Sequence, residues 1–165
     1  GQNSMQTQDS RLDSSVLTNA GTLQGHKDSV NALDFGGRGE TLASASDDSA
    51  RMWDLERSKA VRCFLPAAAA TQGQCVINSV VWGFQDFSSI LAVGSSTSVL
   101  LFDVRSANIV AKSPDTLFLN EHQDEINQVA MQRDGSLMAA ADDAGDVVVY
   151  DLRTMRVFKR LKRHH

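Results

Sequence analysis

Three hexamers of one pattern recur along the chain at nearly equal steps: Val30-Asn31-Ala32-Leu33-Asp34-Phe35, Ile77-Asn78-Ser79-Val80-Val81-Trp82 and Ile126-Asn127-Gln128-Val129-Ala130-Met131. Each reads apolar-Asn-x-apolar-x-bulky. A second landmark keeps step with the first: Met52-Trp53-Asp54-Leu55, Leu101-Phe102-Asp103-Val104 and Val149-Tyr150-Asp151-Leu152. Two landmarks in register require a unit of nearly constant length used three times. Such units bury their apolar faces against one another rather than around one central core.

The unit is made of strands. Between the landmarks lie short runs of small apolar residues, Leu42–Ser46, Leu91–Ser95 and Leu137–Ala141, which read as central strands buried on both faces. A fourth element follows each aromatic-Asp pair, with Val61 and Phe64 in the first repeat, only Val110 in the second, and Phe158 and Leu161 in the third. Turn sequences separate the strands: Gly36–Gly39, Asp86–Ser89 and Arg133–Gly135. Helical periodicity is absent. Four strands in a repeat of this length match one propeller blade with its loops, roughly 40–45 residues. The expected fold is all-β: a propeller segment of about three four-stranded blades, at about 23–64, 75–112 and 119–162, forming an incomplete ring. Propellers normally close with about four to eight blades, so an open arc is expected to need missing blades or to self-associate.

Composition narrows the function. Of 165 residues, 42% are hydrophobic, enough for a core, and the net charge of -4 exerts no global pull toward nucleic acid or membrane. No apolar run approaches the roughly 18–20 residues that cross a bilayer, and the expected location is the cytoplasm, the nucleus or both. Residues 1–22 are polar and expected to be flexible, with Leu12, Val16 and Leu17 able to supply one extra strand. The stretch 65–74, with four consecutive alanines, reads as a linker or a short helix. Cys63 and Cys75 lack any CxxC or neighbouring His and read as buried thiols, so no metal is expected. No cofactor is expected either.

Gly25-His26 before the first strand, Asp47-Asp48 between the second and third, and Trp53-Asp54 at the end of the third resemble the WD40-repeat β-propeller family. The resemblance extends from Leu23 to about Leu161. It implies a structural, non-catalytic hydrogen-bond network of His26, Asp47, Trp53 and a strand serine, Ser44 or Ser46. The second repeat lacks Gly-His and has no Asp in Ser95–Ser98, so no network is expected there. The third has Glu121-His122, with Ala140 and Ala141 where a hydroxyl belongs, and His122 is expected to be only partly buried.

Catalysis finds no support. The acidic pairs Asp47-Asp48 and Asp142-Asp143 fall at turn positions, where Asp caps backbone amides. No Ser-His-Asp grouping or phosphate-binding loop is present. The basic run Arg156, Lys159, Arg160, Lys162, Arg163, His164 and His165 alternates with Val157, Phe158 and Leu161, as an outer strand with a solvated face does; nucleic-acid binding is the disfavoured alternative. Tyr150-Asp151-Leu152-Arg153, and less closely Phe102-Asp103-Val104-Arg105, resemble the aromatic-Asp-x-Arg motif by which some WD-repeat proteins dock to the propeller adaptor of a cullin-RING ubiquitin ligase. The resemblance implies partner binding through Phe102, Asp103, Arg105, Tyr150, Asp151 and Arg153. The expected function is thus a protein-protein scaffold, as a ligase substrate receptor or in another complex that recognises histone tails or signalling proteins.

Overall fold

The computed structural model describes residues 20–66, 76–105, 110–111, 116–119, 121–133 and 135–163. Residues 1–19 and the linker stretch 67–75, with Cys75, lie outside them. Thirteen strands among the described residues form three sheets. Blade one is β1 (Val30–Phe35), β2 (Thr41–Ser46), β3 (Ala50–Asp54) and β4 (Lys59–Phe64). Blade two is β5 (Ile77–Trp82), β6 (Ile90–Ser95), β7 (Ser98–Asp103) and β9 (Thr116–Leu119), and blade three is β10 (Ile126–Met131), β11 (Leu137–Asp142), β12 (Val147–Asp151) and β13 (Arg156–Leu161). Each is an antiparallel meander whose first strand is innermost. The one helical piece among the described residues is a 3-10 turn, Gln85–Phe87, and no helix is long and apolar enough to cross a membrane.

Registers coincide from blade to blade. Phe35 pairs with Leu42, Trp82 with Leu91 and Met131 with Met138, and the same irregularity follows the first residue of each innermost strand. The outer strand of blade two differs from the sequence expectation. Val110 does not belong to it: β8 (Val110–Ala111) pairs in parallel with Cys63 and Phe64 on the edge of blade one, and Thr116–Leu119 completes blade two. The chain after β7 therefore first crosses to the neighbouring blade and covers its edge, a common way to blunt unpaired backbone. Cys63 is only half-buried there.

Because side chains alternate along a strand, each blade has one face toward its predecessor and one toward its successor. The successor face of blade one is small, with Ala43, Ala45, Ala50 and Phe64, and it receives Ile77, Val80, Trp82, Leu91, Val93, Leu100 and Phe102 of blade two. Phe64 lies against Phe102 with ring centroids 5.0 Å apart. The junction of blades two and three repeats the arrangement, with Ala92, Val99 and Leu101 meeting Ile126, Val129, Met138, Val148 and Tyr150. Gly94 allows this approach: a Cβ there would sit 2.9 Å from Ile126 Cγ2. Strands β2 and β6 are buried on both faces, as expected. Strand β11 is buried on one face only, because no blade follows it among the described residues.

Candidate protein-interaction site

Inside blade one a directed chain of hydrogen bonds runs from core to turn. Trp53 Nε1–H donates to Ser44 Oγ at 2.8 Å, Ser44 Oγ lies 2.5 Å from His26 Nε2, and His26 Nδ1 lies 2.8 Å from Asp48 Oδ1. With Asp48 ionised, Nδ1 carries the proton and Nε2 accepts the serine hydroxyl, so each group has one role. Burial is the largest single influence on Asp48 and opposes its charge, but the hydrogen bond and attraction of His26 together with the neighbouring serine hydroxyls outweigh it and hold the carboxyl below its usual range. The acid is therefore Asp48 and not Asp47. Asp47 Oδ1 instead accepts Asn31 Nδ2 at 2.7 Å, because adjacent turn residues point to opposite sides. Ser46 is buried at the end of β2 and stands outside this chain of bonds.

Blade three keeps half of this arrangement. The His122 side chain is fully buried, contrary to the expectation of partial exposure; it lies against the Tyr150 ring of its own blade, and its Nδ1 lies 2.7 Å from Asp142 Oδ2. Here the acid comes from the last position of β11, which corresponds to Ser46, because the following turn is one residue longer. Ala140 occupies the position of Ser44, so His122 Nε2 and Tyr150 Oη are both buried without a hydrogen-bond partner. Burial, together with the charge of Glu121, pushes the Tyr150 hydroxyl pKa upward.

The hexamer asparagines, to which pattern alone assigned no role, fasten blade to blade. Asn31 Nδ2 donates to Ile77 O at 3.0 Å, and Asn78 Nδ2 to Ile126 O at 3.1 Å. Asp34 Oδ2 accepts Trp82 N and Ser79 Oγ accepts Val129 N, again across blades. The signal was the same Asn at the same register in all three hexamers with no strand-forming reason to be there. These inner strands line an open hollow of about 480 Å³ that also holds Phe84 and Arg133.

The rim carrying the aromatic-Asp turns is the candidate docking surface. Phe102 and Tyr150 are buried between blades, so they anchor the turns and cannot touch a partner. Asp103 holds Arg105 through Nε at 3.0 Å and Nη2 at 2.7 Å, and Arg105 in turn lowers the Asp103 pKa. Asp151 Oδ1 accepts Arg153 N at 2.9 Å, while the Arg153 guanidinium reaches 3.8 Å from Asp86 of blade two. In blade one Asp54 binds both the backbone and the side chain of Arg57. Three exposed guanidiniums, one per blade, thus line a single rim. Of the basic run, Arg156, Lys159 and Arg160 lie on strand β13 as expected, with Arg160 paired to Glu121; Lys162 and Arg163 follow the strand, and His164 and His165 lie outside the described residues. Among the described residues no group of three or more His, Cys, Asp or Glu is placed to hold a metal ion.

Comparison with known proteins agrees with this geometry. The family model "WD domain, G-beta repeat" matches residues 17–54 and 113–151, which hold the two histidine-aspartate pairs and leave out the first three strands of the blade that has none. The WD repeat-containing protein 53 homolog of Dictyostelium discoideum is 31% identical over 144 residues, covering 87% of this chain and 37% of that protein. The F-box/WD repeat-containing protein sel-10 of Caenorhabditis elegans is 30% identical over 88 residues, covering 49% of this chain and 14% of its own length. The chain thus spans under two fifths of the curated relatives it matches. Among solved structures, the WD40 repeats of RRP9 superpose with a TM-score of 0.68 over 87% of this chain and 41% of theirs, at 18% identity, and U3-55K with 0.67 over 87% and 42%. In sequence, register and three-dimensional shape, this chain carries WD40 repeats and forms a three-bladed segment of the WD40 β-propeller fold.

Proposed function

We propose that the chain is a protein-protein interaction scaffold of the cytoplasm or nucleus whose arginine rim docks it to the propeller adaptor of a cullin-RING ubiquitin ligase, as a substrate receptor. WD40 propellers are in general non-catalytic scaffolds. The observation that carries the finer reading is the presentation of Arg105 and Arg153. Their side chains are 74% and 66% exposed, and their turns are held by Asp103 and Asp151 on buried aromatic anchors. A guanidinium presented from a rigid turn loses little freedom when it pairs with a partner carboxylate. Recovery of the adaptor by purified wild-type chain and by the double variant Arg105→Ala/Arg153→Ala tests the proposal. The variant is expected to lose the adaptor, and equal recovery would remove the motif from consideration.

The opposite rim favours a second reading. Asp28, Asp47, Asp124, Glu125 and Asp143 gather in the loops that lead into the innermost strands or join the second and third. A Lys- and Arg-rich segment such as a histone tail suits that rim. Its binding would weaken with salt and with Asp143→Asn, and would be indifferent to Arg153→Ala.

A further inference from the structure

We infer that a notch at the junction of blades two and three seats one carboxylate of an acidic partner segment, and that Asp86 fills that seat in cis until the partner displaces it. The inference rests on the docking reading above and deepens it: of the three rim arginines it selects Arg153, and it names that arginine's competitor. The three turns differ in what holds the guanidinium. Arg105 is committed to its own turn, with Nε 3.0 Å and Nη2 2.7 Å from the Asp103 carboxylate, so its two-pronged edge is taken. Arg57 gives Nη1 to Asp54 at 2.6 Å. Asp151 instead accepts the backbone amides of Arg153 and Thr154 and leaves the Arg153 side chain to cross to blade two. There its ion-pair partner among the described residues is Asp86, 3.8 Å away and beyond hydrogen-bond reach.

The notch, of about 150 Å³, is lined by Gln85, Asp86, Phe87, Gly135 and Arg153. Its blade-two wall is a closed turn. Phe87 N donates to Phe84 O at 2.9 Å and Ser88 N to Gln85 O at 3.1 Å, and the turn packs so tightly on Gly83 that a Cβ there would sit 2.1 Å from the Phe87 carbonyl oxygen. Gln85 stands at φ 53°, a left-handed backbone that a residue with a Cβ adopts at a conformational cost, and its amide supplies the notch with a second donor beside Arg153. Arg133 of blade three lies 5.9 Å from the centroid of the Phe84 ring and ties the two walls together. Asp86 and Arg153 are 82% and 66% exposed, so a partner reaches both. An exposed pair at that separation holds weakly. A partner carboxylate that takes Arg153 with two hydrogen bonds therefore displaces Asp86 readily.

A terminally blocked tetraglutamate peptide, titrated at low salt into the isotope-labelled chain, tests this through the side-chain amide resonances of Gln85. The wild-type chain is expected to show a saturable shift. Asp86→Asn should lower its midpoint about two- to fivefold, the range an exposed ion pair contributes. Arg153→Ala should abolish the shift, with or without Asp86→Asn. Glu56→Gln, which removes an acid from the blade-one turn on the same rim, should leave the midpoint unchanged. An unresponsive Gln85 in the wild-type chain would overturn the inference. So would an Asp86→Asn midpoint at or above the wild-type value, a gain that persists without Arg153, or an equal gain from Glu56→Gln. Recovery of the ligase adaptor by the same variants separates this inference from the docking reading. Adaptor binding that needs Arg153 but ignores Asp86→Asn keeps the docking and overturns the role of Asp86, whereas the expected peptide results without adaptor recovery uphold the notch and remove the ligase.

Discussion

Replacing Ser44 with Ala removes the one atom that joins Trp53 to His26. Ser44 and Trp53 are each 2% exposed, and the methyl left behind nearly fills the site, so the cost is electrostatic rather than steric. The indole N–H loses its 2.8 Å acceptor in a buried setting, which costs about 1–3 kcal/mol for an orphaned buried donor. His26 Nε2 loses its 2.5 Å partner in a part-buried position, adding about 0.5–1 kcal/mol. The expected destabilisation is about 2–3 kcal/mol, which at the urea dependence of small proteins lowers the unfolding midpoint by about 1–2 M. Urea titration followed by Trp fluorescence measures it. In a Trp53→Phe background the same change should cost at least about 1 kcal/mol less, since the donor is already gone. A Ser44→Ala loss below about 0.5 kcal/mol, or an equal loss in both backgrounds, would refute the view that this chain of bonds stabilises blade one.

The reverse change, Ala140→Ser, places a hydroxyl between the orphaned His122 Nε2 and Tyr150 Oη; it should stabilise the chain by about 1 kcal/mol in the same titration. Gly94→Ala brings a Cβ within 2.9 Å of the buried, β-branched Ile126 and should cost about 1–3 kcal/mol through overpacking of the junction between blades two and three. Burial opposes the charges of Asp48 and Asp142, yet the histidine hydrogen bonds and attraction, added to those of the neighbouring serine hydroxyls and backbone amides, prevail and the folded pKa values are lowered. The folded chain therefore binds these protons less readily than the unfolded chain. Their contribution is present above about pH 4 and is lost as pH falls through the folded values. Urea midpoints over a pH series should drop in acid, and Asp48→Asn with Asp142→Asn should flatten that limb.

Much of this molecule is legible in one dimension. The hexamers, the small apolar runs, the aromatic-Asp landmarks and the apolar positions after them together place eleven of the twelve blade strands among the described residues, because a constant repeat period and side-chain alternation can be read along the chain itself. Pairing of β8 with blade one is not legible, since Val110 has the same local character on either edge and only its pairing beside Cys63 and Phe64 distinguishes them. The site divides in the same way. His26, Ser44 and Trp53 are recognisable by type and spacing, and so are the exposed Arg105 and Arg153. Choosing Asp48 over Asp47, or finding Asp142 beside His122, depends on which way consecutive residues face once a turn closes, and a one-residue difference in turn length reverses it. The role of the hexamer asparagines likewise exists only between blades. Sequence therefore dictates the repeat, its strands and its residue chemistry, which are set within a few neighbours. The packed fold alone assigns hydrogen-bond partners and exposed faces, because these depend on atoms a whole repeat away along the chain.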